Sequence, residues 1–81
     1  MFYTYILRSK SNNSYYVGSS QDVSKRLVLH NNGLVKSTKR HIPWILVYQE
    51  KHKTLLEARR RELQIKSWKK RIAIEKLFKN L

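Results

Sequence analysis

Glu62 stands where an apolar residue would be expected. In a helix read from Thr54 to about Lys66, Leu55, Leu56, Ala58, Leu63 and Ile65 fall on one arc at 100° per residue, and Glu57, Arg60, Arg61 and Gln64 fall opposite. Glu62, Lys66 and Arg59 lie inside the apolar arc. A carboxylate there is costly unless it is paired or bound to a metal. Glu62 and Lys66 are spaced i, i+4 in the favourable order, so an ion pair is one reading. An exposed pair contributes only about 0.3–0.5 kcal/mol, little reason to interrupt a thin core, so a chemical site is the other. The preceding helix repeats the pattern, with Arg26 and His30 on the same face as Val23 and Leu27. One inward histidine is commonly a hydrogen-bonded core residue. Two helices that both turn polar groups inward are most simply explained by the formation of a cleft.

The elements that must hold these residues can be read in order. Residues 2–7 are aromatic, β-branched or apolar and read as a strand, and Tyr15–Gly18 reads as a second. Asn12 and Asn13, central in the polar stretch between them, tolerate left-handed backbone and suit a hairpin. Ser19 or Ser20 can cap the first helix, with Asp22 as an acid in its first turn, and Gly33 can close it. A basic loop over residues 34–41 precedes Pro43 and a third strand, Trp44–Tyr48. Thr54 can cap the second helix. Ile74, Leu77, Phe78 and Leu81 form an amphipathic stripe in a last helical segment. The order β-β-α-β-α-α predicts an α+β fold: one domain over residues 1–81, with a small three-stranded antiparallel sheet flanked by helices.

Composition narrows the partners. The 81 residues hold 18 Lys+Arg against 5 Asp+Glu, a net charge of +13. That is the electrostatic footprint of a nucleic-acid binder. A domain this small buries only about 60% of its unfolded surface, so its core is thin. The absence of cysteine excludes disulfides, thiolate nucleophiles and thiolate metal sites. No apolar run approaches the roughly 20 residues that cross a bilayer, and the N-terminus does not read as a secretory signal. A cytoplasmic location without membrane association is the expectation. Lys25, Lys36, Lys39, Arg40, Arg59, Lys66, Lys69 and Lys70 are the candidate nucleic-acid contacts. Trp44 and Trp68 are expected to pack in the core, and His41 and His52 to be solvated.

The ordered set Tyr16-Val17-Gly18, Arg26, His30, together with Glu57-Ala-Arg-Arg-Arg-Glu-Leu-Gln-Ile-Lys-Ser-Trp68, resembles the GIY-YIG nuclease superfamily. The resemblance covers nearly the whole chain and is nearest to the small single-domain members, of the excinuclease C N-terminal-like or URI type. Carried over residue by residue, it places Tyr5 at the tyrosine of the first triplet, and Tyr16 and Gly18 in the second. Arg26 and His30 match the residues of the first helix, and Glu62 the metal-binding glutamate. The first triplet, Tyr3-Thr4-Tyr5, keeps only its tyrosine, and Asn80 is not assigned to the asparagine that larger relatives use.

What the resemblance implies is hydrolysis of phosphodiester bonds in DNA, RNA not being excluded. Glu62 would hold one divalent cation, Mg²⁺ or Mn²⁺, through a hard oxygen. Arg26 would meet phosphate with a planar fork of donors. Tyr5 or Tyr16 would take a proton from water, and a phenol needs about 4 kcal/mol of differential stabilisation to titrate near 7. His30 would relay or orient that proton. Gly18, lacking Cβ, would let substrate or the next helix approach. With no separate recognition domain in these residues, sequence specificity should be low or supplied by a protein partner. The alternatives are a basic nucleic-acid-binding protein that keeps the fold without turnover, and a basic structural or ribosome-associated protein.

Overall fold

The computed structural model describes residues 1–79. Phe2–Ser9 forms β1, Tyr15–Ser20 β2 and Trp44–His52 β3, all antiparallel in the order β2-β1-β3. Val23–Asn31 forms α1, Leu55–Lys66 α2 and Arg71–Glu75 α3. The fold is therefore α+β, in the order β-β-α-β-α-α that the residue pattern predicts.

Strand alternation divides β1 between two thin cores. Tyr5 and Leu7 pack with Val23 and Trp44 on the α1 side, joined by Tyr3, Tyr16 and Leu27. Ile6 packs with Val17 and Ile65 on the other side, where Trp68, Ile74, Leu77 and Phe78 also gather. The stripe over the last segment thus lies on the sheet, though its helix is short. Leu81, the last member of that stripe, and Asn80 lie outside the described residues.

Local chemistry fixes the connections. Asn13 takes φ +65° in the hairpin, and the Ser9 hydroxyl accepts from the amides of Ser11 and Asn12 while donating to the His41 carbonyl at 2.6 Å. The end of α1 is a Schellman closure: Gly33 sits at φ +74°, its amide donates to the His30 carbonyl, and the Leu34 amide donates to that of Leu29. Thr54 caps α2 by accepting from the Glu57 amide.

Four expectations change. Asp22, not Ser19 or Ser20, caps α1, accepting from the Lys25 amide, because both serines still belong to β2. β1 and β3 run further than their apolar stretches. Gln49–His52 keeps pairing with β1 although its side chains are polar. His52 is not simply solvated, since it shares Glu50 with Tyr48 and Arg61. Finally, α2 is turned relative to its apolar arc. Ala58 and Ile65 are fully buried, whereas Leu55, Leu56 and Leu63 are exposed. A small residue at the contact lets the helix approach until the Thr4 hydroxyl donates to the Ala58 carbonyl at 2.8 Å, which a leucine would prevent.

Candidate active site

α1 delivers Arg26 and His30 to the face of the sheet that carries Tyr5 and Tyr16. His30 is fully buried, and its ring meets Tyr16 edge-on with centroids 4.9 Å apart. Its Nε2 lies 2.9 Å from the Tyr5 hydroxyl, and its Nδ1 2.7 Å from the Thr38 hydroxyl. Tyr5 itself is buried. Burial pushes its pKa up to about 12, opposed by the guanidinium of Arg26. Burial, assisted by the positive charge of Arg26, pulls His30 down to about 4. At neutral pH the pair is therefore a neutral phenol bonded to a neutral imidazole.

Gly18 explains how Tyr5 reaches that position. A Cβ at Gly18 would stand 2.7 Å from the Tyr5 hydroxyl oxygen, 2.8 Å from its Cζ and 3.0 Å from Cε2 of Tyr16. The close approach that glycine permits is made by the two tyrosine rings, where the sequence suggested substrate or the next helix.

Above the buried pair lies an open cleft of about 840 Å³, lined by Tyr16 and Arg26 together with Val35, Lys36, Ser37, Lys39 and Arg40. The loop over residues 34–41, which ends in a 3-10 turn at Lys39–His41, thus supplies three of the eight basic side chains expected to meet nucleic acid. Lys25, Arg59, Lys69 and Lys70 are exposed and do not line this cleft. Trp44 is buried in the core, as expected, and donates from Nε1 to the Thr38 carbonyl at 2.9 Å.

Glu62 comes from the opposite side of the sheet and stands in a small neighbouring hollow with Arg59 and Leu63. Ser19, one position beyond Gly18 and so on the α2 side of β2, donates to its Oε1 at 2.7 Å. Lys66 donates to Oε2 at 2.6 Å, and its ammonium also lies 5.8 Å from the Tyr16 ring centre. The ion pair read from the i, i+4 spacing is therefore present.

Two participants escaped the sequence reading. Ser19 was legible in principle, because alternation after Gly18 points it at α2. Thr38 was not, since nothing in a polar loop distinguishes it from its neighbours.

A profile of the GIY-YIG catalytic domain matches residues 1–77. The chain belongs to the GIY-YIG family. The UPF0213 protein SSP2268 of Staphylococcus saprophyticus is 45% identical to it over 67 residues, 82% of this chain and 80% of that one. The UPF0213 protein SH2523 of Staphylococcus haemolyticus is 43% identical over the same shares. The solution NMR structure of the UPF0213 protein BH0048 from Bacillus halodurans superposes with a TM-score of 0.58 at 34% identity, covering 95% of this chain and 82% of that one.

Whether the GIY-YIG domain's own side chains suit a divalent cation can be judged from their donors. Among the described residues, no three His, Cys, Asp or Glu side chains form a metal-holding group. Mg²⁺ often takes only one or two carboxylates, with water and substrate phosphate completing its shell. Glu62 fits that role: Ser19 steadies one oxygen, and the other is held by an ammonium 45% exposed, which can swing into solvent. The residues suit a cation shared with phosphate, and do not suit a cage that holds one unaided. No helix among the described residues is long and apolar enough to cross a membrane.

Proposed function

We propose that this GIY-YIG domain is a metal-dependent endonuclease that hydrolyses phosphodiester bonds in DNA with low intrinsic sequence specificity. The observation that carries the reading is the cleft in which Tyr16 and Arg26 stand among Lys36, Lys39 and Arg40. Arg26 would grip the scissile phosphate through its fork of donors. The three loop cations would neutralise neighbouring phosphates, contacts that position a backbone without reading bases. Tyr16 lines the cleft and would be the tyrosine that takes a proton from attacking water. Tyr5 is buried, neutral and bonded to His30, which suits it to orienting its neighbours. Glu62 would hold Mg²⁺ or Mn²⁺, which when bound supplies charge neutralisation at the phosphate and help for the leaving oxygen.

The test is direct. Purified protein incubated with labelled duplex, branched and single-stranded DNA, and with RNA, should cleave DNA when Mg²⁺ or Mn²⁺ is present and stop when EDTA is added. Binding without cleavage under every condition would favour the second reading, a basic nucleic-acid-binding protein that keeps the fold. That reading is supported by the engagement of both Glu62 oxygens with Ser19 and Lys66.

A further inference from the structure

We propose that Thr38 is a positioning residue for this site: its hydroxyl fixes His30 as the tautomer protonated at Nδ1, so that Tyr5 turns its proton toward His30 and its oxygen toward Arg26. The functional consequence rests on the nuclease reading above; the tautomer does not.

The chain of donors and acceptors can be followed from both ends. A threonine hydroxyl has one proton. That of Thr38 has the Val35 carbonyl as an acceptor at 3.3 Å, which leaves lone pairs on Oγ1 to accept from His30 Nδ1–H at 2.7 Å. At the other end, Arg26 is a donor only. Its positive charge opposes the rise in the Tyr5 pKa, so it stands near the phenol and turns the phenolic proton away from itself, and His30 Nε2 at 2.9 Å is the acceptor that proton meets. Nε2 accepts only if it carries no proton, which again places the imidazole proton on Nδ1. The two ends agree.

The opposite tautomer would reverse every bond. Nε2–H would donate to Tyr5, and the phenolic O–H would swing to face the guanidinium, donor against donor. Arg26, on the cleft wall, would then stand beside a proton instead of a lone pair. Thr38 is itself well held. It is fully buried, its amide donates to the Val35 carbonyl at 3.1 Å and its carbonyl accepts from Trp44 Nε1. It also sits between Ser37 and Lys39, both on the cleft wall. The loop offered to phosphate therefore sets the polarity of the buried tyrosine–histidine pair.

Long-range ¹H–¹⁵N NMR of the His30 ring, with cleavage and DNA-binding assays, tests this on the whole protein. The wild-type ring should carry its proton on Nδ1. Thr38→Val removes the acceptor and would leave Nδ1–H buried and unpaired, so the proton should move to Nε2. Turnover should then fall about 10- to 100-fold with Kd for DNA nearly unchanged, by analogy with the loss when a group that orients a metal-binding histidine is removed. Thr38→Ser keeps the hydroxyl and should restore both tautomer and turnover. A wild-type ring protonated at Nε2 would overturn the proposal. So would a folded Thr38→Val variant whose tautomer, or whose turnover, stays as in the wild type. If Thr38→Val does not fold, the wild-type and Thr38→Ser spectra still decide the tautomer. Wild-type protein that binds DNA but never cleaves it would sink the nuclease reading instead, and the ring spectrum alone would then show whether Thr38 sets the tautomer.

Discussion

Gly18, Glu62 and His30 each make an assertion that a single substitution can check. Gly18→Ala puts a methyl 2.7 Å from the Tyr5 hydroxyl oxygen. Because the clash is with a packed ring, the expected cost is about 1–3 kcal/mol of stability. A loss of turnover larger than the loss of folded protein should accompany it, since Tyr5 must leave His30. Denaturation midpoints and cleavage rates on the same samples measure both. Glu62→Gln keeps an acceptor for Ser19 but removes the charge, so cleavage should vanish while DNA binding persists or tightens. Its effect on stability should stay within about 1 kcal/mol, because the Lys66 ammonium is exposed and is not stranded when the pair is lost. A large fall in melting temperature with cleavage intact would assign Glu62 to packing. For His30 the folded pKa, about 4, lies below the ordinary value of 6.5. The unfolded chain then binds the extra proton between those values, so stability is full above 6.5 and falls as pH drops toward 4. Urea midpoints should show a loss of about 2 kcal/mol at pH 5 relative to pH 7, and a smaller slope in His30→Gln. Glu50 and Glu75, both held below the usual carboxylate value, add their losses only at lower pH.

At the scale of elements, the docking of α2 decides where Glu62 stands. Ala58→Leu should lift the helix from β1, break the Thr4 hydrogen bond and cost about 1–3 kcal/mol. It should reduce cleavage further than it reduces stability, because Glu62 moves with the helix. Unchanged activity in the folded variant would show that the helix can be seated differently without harm. This same contact marks the limit of what the residue pattern reveals. Element order, the hairpin at Asn13, the Gly33 closure and the Thr54 cap are all legible, because each depends on local backbone chemistry. The inward face of α2 is not. Counting apolar residues centres the arc on Leu55, but close packing on a sheet selects the small Ala58 and leaves the bulkier leucines outside. Polar residues hid the length of β3 for a related reason: Glu50 and His52 are satisfied by partners distant in sequence or by each other, which no propensity records. At the site, the tyrosines, Arg26 and His30 do meet, whereas the Ser19 and Thr38 contacts depend on tertiary placement.

For the whole molecule, a net charge of +13 makes DNA binding an electrostatic matter. If about five phosphates are neutralised, log K should fall against log salt with a slope of about −4 to −5. Neutralising Lys36, Lys39 and Arg40 together should flatten that slope by up to about 3, because each phosphate contact contributes about 0.9. Neutralising Lys69 and Lys70, away from the cleft, should change it less. Equal effects from both sets would mean that DNA follows another path across the surface.

β1 is the centre of the sheet, flanked by β2 on one side and β3 on the other. During biosynthesis β1 emerges before either neighbour. It can pair at once with β2 through the Asn13 turn, but a lone hairpin is marginal in water. Its second edge must wait for residues 44–52, and its face toward α2 must wait for Ala58 and Ile65. A nascent chain stopped at Pro43 would therefore carry all four of Tyr5, Tyr16, Arg26 and His30, yet lack the strand and helix that seat them. The emerging polypeptide holds most of its chemistry long before it has a fold to use it.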